Sequence, residues 1–258
     1  MVFQKLSLIF ILSAFFTVIN GESPDLIIEL FRHGARAPEY TTYDAENYWV
    51  NRLGQLTPVG MRMHYVLGKS LRERYPELLS KYDPKKVYVR STDLDRTLMS
   101  AYSHMQGIFD HSGPEIEMNP YFGSSNNNND NWDGEGGSLG EFFARSKSAL
   151  PDKAQVVPIY SLPLEEDHVL RGYHRCESTG KYRQQNLEDQ AAMNVYKNDM
   201  KEVATYLIQQ GIEVSNFFDL RKMGEFAISH KFENIKLPAN IKPDSQFYKD
   251  LKFAYEYY

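Results

Sequence analysis

Short apolar runs alternate with helical patterns in the first 160 residues of the chain. The runs at 25–31, 86–90 and 155–160 contain branched and aromatic residues and are bounded by turn residues, which is typical of strands in a sheet. The first run stops at a turn that contains glycine. Strands that alternate with helices predict an α/β domain with a mainly parallel sheet flanked by helices.

Two helices are predicted between these strands. The first begins with Thr57 as the N-cap and Pro58 as the first helical residue. Thr92, with Asp95 three residues later, has the form of a capping box for the second helix, which runs to about Phe109. The predicted apolar face of the first helix contains Leu67, Leu71 and Tyr75.

The C-terminal part of the chain has a purely helical pattern. Helices are predicted at 187–210, at 216–231 and from 244 to the end, with no strand between them. This pattern indicates a smaller helical lobe over residues 181–258, beside an α/β core over residues 22–180.

Two stretches have compositions unlike the rest. Residues 1–21 contain a short basic region at Lys5, an apolar run to Ile19 and a small residue, Gly21, which predicts a signal peptide cut near Gly21 and an exported protein. A buried N-terminal helix or a membrane anchor is the alternative. Residues 123–140 include four consecutive Asn and five Gly and are interpreted as a polar loop without an assigned function.

Charge and cysteine content narrow the function classes. The net charge of −5 argues against nucleic acid as a partner, because binding to the phosphate backbone needs a basic surface. The His, Cys and carboxylate positions lack metal-ligand spacing, so no metal and no other cofactor are expected. The single cysteine, Cys176, is unusual for an exported protein. It is either a buried free thiol or the partner of a cysteine outside this chain.

The sequence Arg32-His33-Gly34-Ala35-Arg36 carries the strongest chemical signal. A histidine at a predicted strand end lies between two arginines on a turn that glycine permits. The guanidinium group of an arginine can donate two parallel hydrogen bonds to phosphate oxygens. Neighbouring cations disfavour the protonated imidazole, which leaves a ring nitrogen free to attack phosphorus. These residues predict a phosphoryl-transfer site.

Arg90, at the end of the second predicted strand, supplies a third guanidinium. Carboxyl ends of parallel strands meet at one edge of the sheet, so Arg90 is a candidate phosphate ligand beside Arg32 and Arg36. The alternative is a surface ion pair with Asp93 or Asp95.

The chain resembles the histidine acid phosphatase family of the phosphoglycerate mutase-like superfamily. The segments that carry the resemblance are LFRHGARAP at 30–38, QLTP at 55–58, VRSTDLDRT at 89–97, and PIY with PLEED between 158 and 167. The resemblance implies that His33 forms a phosphohistidine and that Arg32, Arg36 and Arg90 bind the phosphoryl oxygens. It also implies a small phosphomonoester substrate and inorganic phosphate as product. The predicted signal peptide leads us to expect a secreted or lysosomal location.

One departure from the family pattern concerns the general acid. Members carry a late His-Asp pair whose aspartate protonates the leaving alcohol, whereas none of the seven histidines here is followed by Asp. The chain is therefore expected to be a C-terminally truncated member whose general acid is unknown. An acid phosphatase is the first functional hypothesis, an inactive or phosphate-binding relative is the second, and a mutase is the third.

Overall fold

The computed structural model describes residues 24–40, 48–49, 51–115, 148–172, 176–187, 194, 198, 200–237 and 241–257. The predicted signal peptide and the polar loop at 123–140 lie outside these residues. The chain divides into two compact units, residues 1–30 and residues 31–258, and the functional residues discussed below all belong to the second.

The described part of the first unit, residues 24–30, does not form the predicted strand. Its backbone takes part in no strand, and Leu26, Ile28 and Leu30 are 70%, 85% and 88% exposed. The prediction of a buried strand here was wrong. Apolar composition favours burial only where another surface supplies the packing and a neighbouring strand supplies hydrogen-bond partners.

Two crossed helices form the framework of the second unit. Helix α1 covers Pro58–Arg74, a short α2 covers Pro76–Leu79, and α3 covers Asp95–Ile108. Helices α1 and α3 approach closely at Gly68 and Gly107, where a Cβ atom on either glycine would overlap a backbone carbonyl of the opposite helix. The face of α1 that is buried therefore contains Gly60, His64 and Gly68, and not the predicted Leu67, which is 51% exposed.

The segments of the two remaining predicted strands meet at a single parallel bridge between Arg90 and Tyr160. The Tyr160 amide donates to the Val89 carbonyl and the Ser91 amide donates to the Tyr160 carbonyl, while residues 87–89 and 156–159 are not assigned to a strand. Their inward side chains pack on the end of α3, against Met105, Ile108 and Phe109. This pairing places the end of the second predicted strand, with Arg90, beside the segment that follows Tyr160.

The helices after residue 176 are α4 (Glu177–Leu187), α5 (Lys201–Gln209), α6 (Phe217–Phe232) and α7 (Gln246–Tyr257). Helices α5, α6 and α7 share one apolar core, in which Leu207, Leu220 and Leu251 are fully buried. In the part of the chain that the structure describes, no helix has both the length and the apolar character needed to cross a membrane.

The helix boundaries confirm some of the predicted signals and correct others. Thr57 caps α1 by accepting a hydrogen bond from the Gly60 amide, and Asn216 caps α6 in the same way through the Asp219 amide. The capping box at Thr92 is wrong, because α3 has no side-chain cap and the Thr92 hydroxyl donates to Thr97 Oγ1 instead. Helix α4 was not predicted.

Candidate active site

The turn that carries His33 is held against the start of α1. The Gly34 amide donates to Ser100 Oγ of α3 (3.1 Å), and the Thr57 amide donates to the Ala35 carbonyl (3.0 Å). A Cβ atom at Gly34 would lie 2.8 Å from the Cα atom of Gly60, and one at Gly60 would overlap the Ala35 carbonyl. The two glycines therefore allow a close approach that fixes the backbone on both sides of His33.

His33 is half-buried and holds one defined ring orientation. Its Nδ1 lies 2.8 Å from the Gly34 carbonyl oxygen, so Nδ1 carries the hydrogen and donates it, which leaves the lone pair on Nε2. The pKa of the imidazole is lowered from 6.5 to about 4, mainly by burial; the cations Arg36, Arg32 and Arg96 act in the same direction, and the bond to Gly34 acts against them. The ring is therefore a neutral nucleophile even in moderately acidic solution.

Arg36 is fixed by a buried carboxylate from the helical part of the chain. Its Nη1 lies 2.5 Å from Glu225 Oε1 of α6, and the same Nη1 donates to the Ala37 carbonyl at 2.8 Å. Only 10% of the Arg36 side chain and 5% of the Glu225 side chain are exposed. Glu39, which is more exposed, lies 3.5 Å from Arg36 Nη2 and 3.4 Å from Arg96.

Arg32 lies on the more exposed side of the turn and contacts α7. Its Nη2 donates to the Tyr255 hydroxyl at 2.9 Å. Beneath it, His64 of α1 donates from Nε2 to the Arg32 carbonyl at 3.1 Å. The predicted pair of arginines thus comes together with His33, and each arginine contacts a different helix of the C-terminal part.

A cavity of about 610 Å³ opens beside these residues. Residues 32–36 form one wall, and α6 and α7 supply the opposite wall with polar and apolar groups that include Glu225, Phe232, Tyr255 and Glu256. The cavity is large enough for a phosphoryl group together with a small organic leaving group.

Arg90 is placed differently from the other predicted phosphate ligands. It is not among the residues that line this cavity. Its Nη2 lies 2.7 Å from Oδ1 of the fully buried Asp167, which also accepts from the Val169 and Leu170 amides. Neither Asp93 nor Asp95, the partners considered from the sequence, forms this bond. A role for Arg90 in phosphate binding stays a prediction.

The structure adds site residues that the sequence did not identify. Glu225 and Tyr255 lie about 190 and 220 positions after the motif, and nothing in their local sequence indicates a contact with it. Arg96 lies in a segment already noted for its likeness to the family, so that likeness was an available signal. Cys176, considered as a buried thiol, is in fact exposed.

Comparison with known proteins identifies the family. The sequence profile of the histidine phosphatase superfamily (branch 2) matches residues 26–249. The chain belongs to this superfamily. A lysosomal acid phosphatase of Xenopus laevis is 29% identical over 238 residues, which cover 88% of this chain and 47% of the relative. A testicular acid phosphatase of Mus musculus is 32% identical over 244 residues, covering 86% of this chain and 47% of the relative.

A solved structure supports the fold of this member of the superfamily. The phytase of Klebsiella sp. ASR1 superposes with a TM-score of 0.51 at 15% sequence identity, covering 88% of this chain and 56% of the phytase. This likeness confirms the α/β, phosphoglycerate mutase-like architecture in outline, whereas the detailed arrangement of the sheet stays a prediction. The chain spans about half the length of the curated relatives it matches.

Proposed function

We propose that this protein acts as an acid phosphatase that hydrolyses small phosphomonoesters through a phosphohistidine on His33. The observation that carries the proposal is the geometry of His33: its Nδ1 bonds to the Gly34 carbonyl, and burial together with the neighbouring arginines lowers its pKa to about 4. Membership of the histidine phosphatase superfamily and the acid phosphatase relatives support the same reaction.

The reaction divides into two displacements at phosphorus. In the first, the Nε2 lone pair forms the N–P bond while the P–O ester bond breaks, and its electron pair leaves with the alcohol oxygen, which takes up a proton. In the second, a water oxygen attacks phosphorus, the N–P electron pair returns to Nε2, and the water proton passes to solvent or base. Inorganic phosphate is the product.

Arg32 and Arg36 would hold the phosphoryl oxygens during both steps. They flank His33 in the same turn and line the same cavity, and charge neutralisation with correct positioning is most of what phosphoryl transfer requires. We also propose Arg90 as a phosphate ligand. In this role Arg90 would stay paired with Asp167, and its side chain would move toward the turn at 32–36 when the substrate binds.

The proton donor for the leaving alcohol is not assigned. Asp167 is fully buried, bonded to Arg90 and absent from the cavity wall, so its position argues against this role. Of the described carboxylates that line the cavity, Glu225 is bonded to Arg36 and Glu256 lies 3.4 Å from Lys252. An aryl ester is therefore the best probe substrate, because a phenolate leaves without protonation.

The relatives and the predicted signal peptide support a proposal for the biological setting. The Xenopus laevis relative is named a lysosomal acid phosphatase, and residues 1–21 predict export. We propose a secreted or lysosomal protein in which the α/β part extends to residue 180 and the helical lobe starts at residue 181.

Trapping the covalent intermediate tests the proposal. Labelled 4-nitrophenyl phosphate is mixed with the protein, the reaction is quenched with a denaturant at alkaline pH, and the acid-labile phosphate on the chain is mapped. We expect the label on His33 and its loss in His33→Ala, whereas His111→Ala, at an exposed histidine outside the cavity, keeps it. Phosphate binding without any label would favour a binding-only relative.

A further inference from the structure

The pair formed by Arg36 and Glu225 joins the phosphate turn to helix α6. Glu225 has no part in the chemistry proposed above, and its carboxylate would repel a bound phosphate dianion. A negative charge in this place needs an explanation, since it is almost completely buried at the wall of an anion-binding cavity. The Glu39 amide donates to Glu225 Oε1 at 3.4 Å, but the shortest contact of this carboxylate is with Arg36 Nη1, and this contact supplies an explanation.

The contacts of the Arg36 guanidinium are distributed unevenly. Nη1 is engaged twice, by Glu225 Oε1 at 2.5 Å and by the Ala37 carbonyl at 2.8 Å. Nε is buried and has no hydrogen-bond partner within the described part of the chain. A guanidinium binds a phosphate by two parallel N–H groups. Nη2 has only a longer contact of 3.5 Å, with the more exposed Glu39. With Nη1 occupied, the edge that contains Nε and Nη2 therefore remains for that purpose.

We propose that Glu225 is a positioning residue that anchors Arg36 through Nη1 and thereby presents the Nε–Nη2 edge of Arg36 to a phosphoryl oxygen. This inference rests on the proposed function for the identity of the ligand. What the inference adds is the orientation of the Arg36 side chain. Helix α6 holds Glu225 rigidly, because its neighbours Met223, Phe226 and Ala227 are fully buried.

The direction in which Glu225→Gln changes the phosphate Kd distinguishes the positioning of Arg36 from simple charge repulsion. Glu225→Gln removes a negative charge near the phosphate, so electrostatics alone predicts tighter phosphate binding. Positioning predicts the opposite, because a neutral amide holds the guanidinium less firmly and the Arg36 fork loses its orientation. A loss equal to one charge-assisted hydrogen bond corresponds to a rise in the phosphate Kd of about tenfold or more.

Glu256→Gln is the matched control. Glu256 lines the same cavity but pairs with Lys252 and is 58% exposed, so its substitution removes an equal charge without touching Arg36. We expect this variant to bind phosphate as tightly as the parent or slightly tighter. Glu225→Asp, which keeps the charge on a shorter side chain, should bind phosphate with an affinity between the parent and Glu225→Gln.

The experiment measures inorganic phosphate binding by calorimetry on the folded proteins, together with kcat/KM for 4-nitrophenyl phosphate. Circular dichroism verifies folding, and Glu225→Asp carries the test if Glu225→Gln does not fold. An unchanged or lower phosphate Kd in a folded Glu225 variant would overturn the inference, even if His33 is labelled. Phosphate binding that weakens in Glu225→Gln while His33 is never labelled would sustain the inference and overturn the phosphatase. A parent that binds no phosphate overturns both.

Discussion

Acidification tests the environment of His33 directly. Burial is the largest cause of its lowered pKa, and Arg36, Arg32 and Arg96 act in the same direction, which together outweigh the bond to Gly34. Only the neutral imidazole can attack phosphorus, so the rate of phosphohistidine formation should follow the neutral fraction of His33. This fraction should stay high well below the pH at which an ordinary histidine becomes protonated.

The expected difference is large at pH 5. With the pKa at about 4, the ratio of neutral to protonated imidazole is about ten to one, so about 90% of the protein carries the nucleophile. With the ordinary pKa of 6.5, the ratio would be about 1 to 30, and about 3% would carry it. The two cases differ by about 30-fold in rate at this pH.

The assay combines a titration with single-turnover kinetics. The ring proton of His33 is followed by NMR across the acidic range, with its signal assigned by its loss in His33→Ala, and the labelling rate is measured at the same pH values on folded protein. Arg96→Gln should raise the pKa of His33, because it removes a cation that disfavours the imidazolium. Arg74→Gln, an exposed arginine at the end of α1, should not. A His33 midpoint near that of a free histidine would refute this account of the site.

Two further substitutions, each with a matched control, test the packing of α1 on α3 and the pair formed by Arg90 and Asp167. Gly68→Ala places a methyl group against the His104 carbonyl and should lower the free energy of unfolding by about 1–3 kcal/mol in a denaturant titration. Gly180→Ala, in a helix with open space around the glycine, should leave the free energy of unfolding unchanged or raise it by up to about 1 kcal/mol. Arg90→Ala leaves the buried Asp167 without its cation and should cost about 3–5 kcal/mol, whereas Lys153→Ala, in an exposed pair with Glu115, should cost less than about 1 kcal/mol. An unchanged phosphate Kd in folded Arg90→Ala would remove Arg90 from the phosphate site.

The parts of the structure that depend on local sequence were predictable. The N-cap at Thr57, the limits of α6 and the grouping of Arg32, His33 and Arg36 follow from residues within a few positions of one another. The motif also indicated the direction of the pKa change at His33, because two of the cations responsible are its near neighbours in the sequence.

The contacts that complete the site could not be predicted from sequence patterns. Glu225 and Tyr255 meet the arginines only through the packing of α6 and α7 on the rest of the chain, which no periodicity encodes. His64 is 2% exposed and bonded to the Arg32 carbonyl, a contact that its position on α1 does not by itself indicate. The prediction of a strand at 25–31 was wrong for the same reason, because burial of a strand depends on partners that the apolar run itself does not specify.

The bond between Arg32 and Tyr255 spans 223 positions of the chain. Closing a loop of this length costs conformational entropy, and the packing of α6 and α7 in their shared core offsets that cost. The bond cannot form until residue 255 has been synthesised. During biosynthesis, the turn at 32–36 therefore exists before its contacts with α6 and α7 can be made.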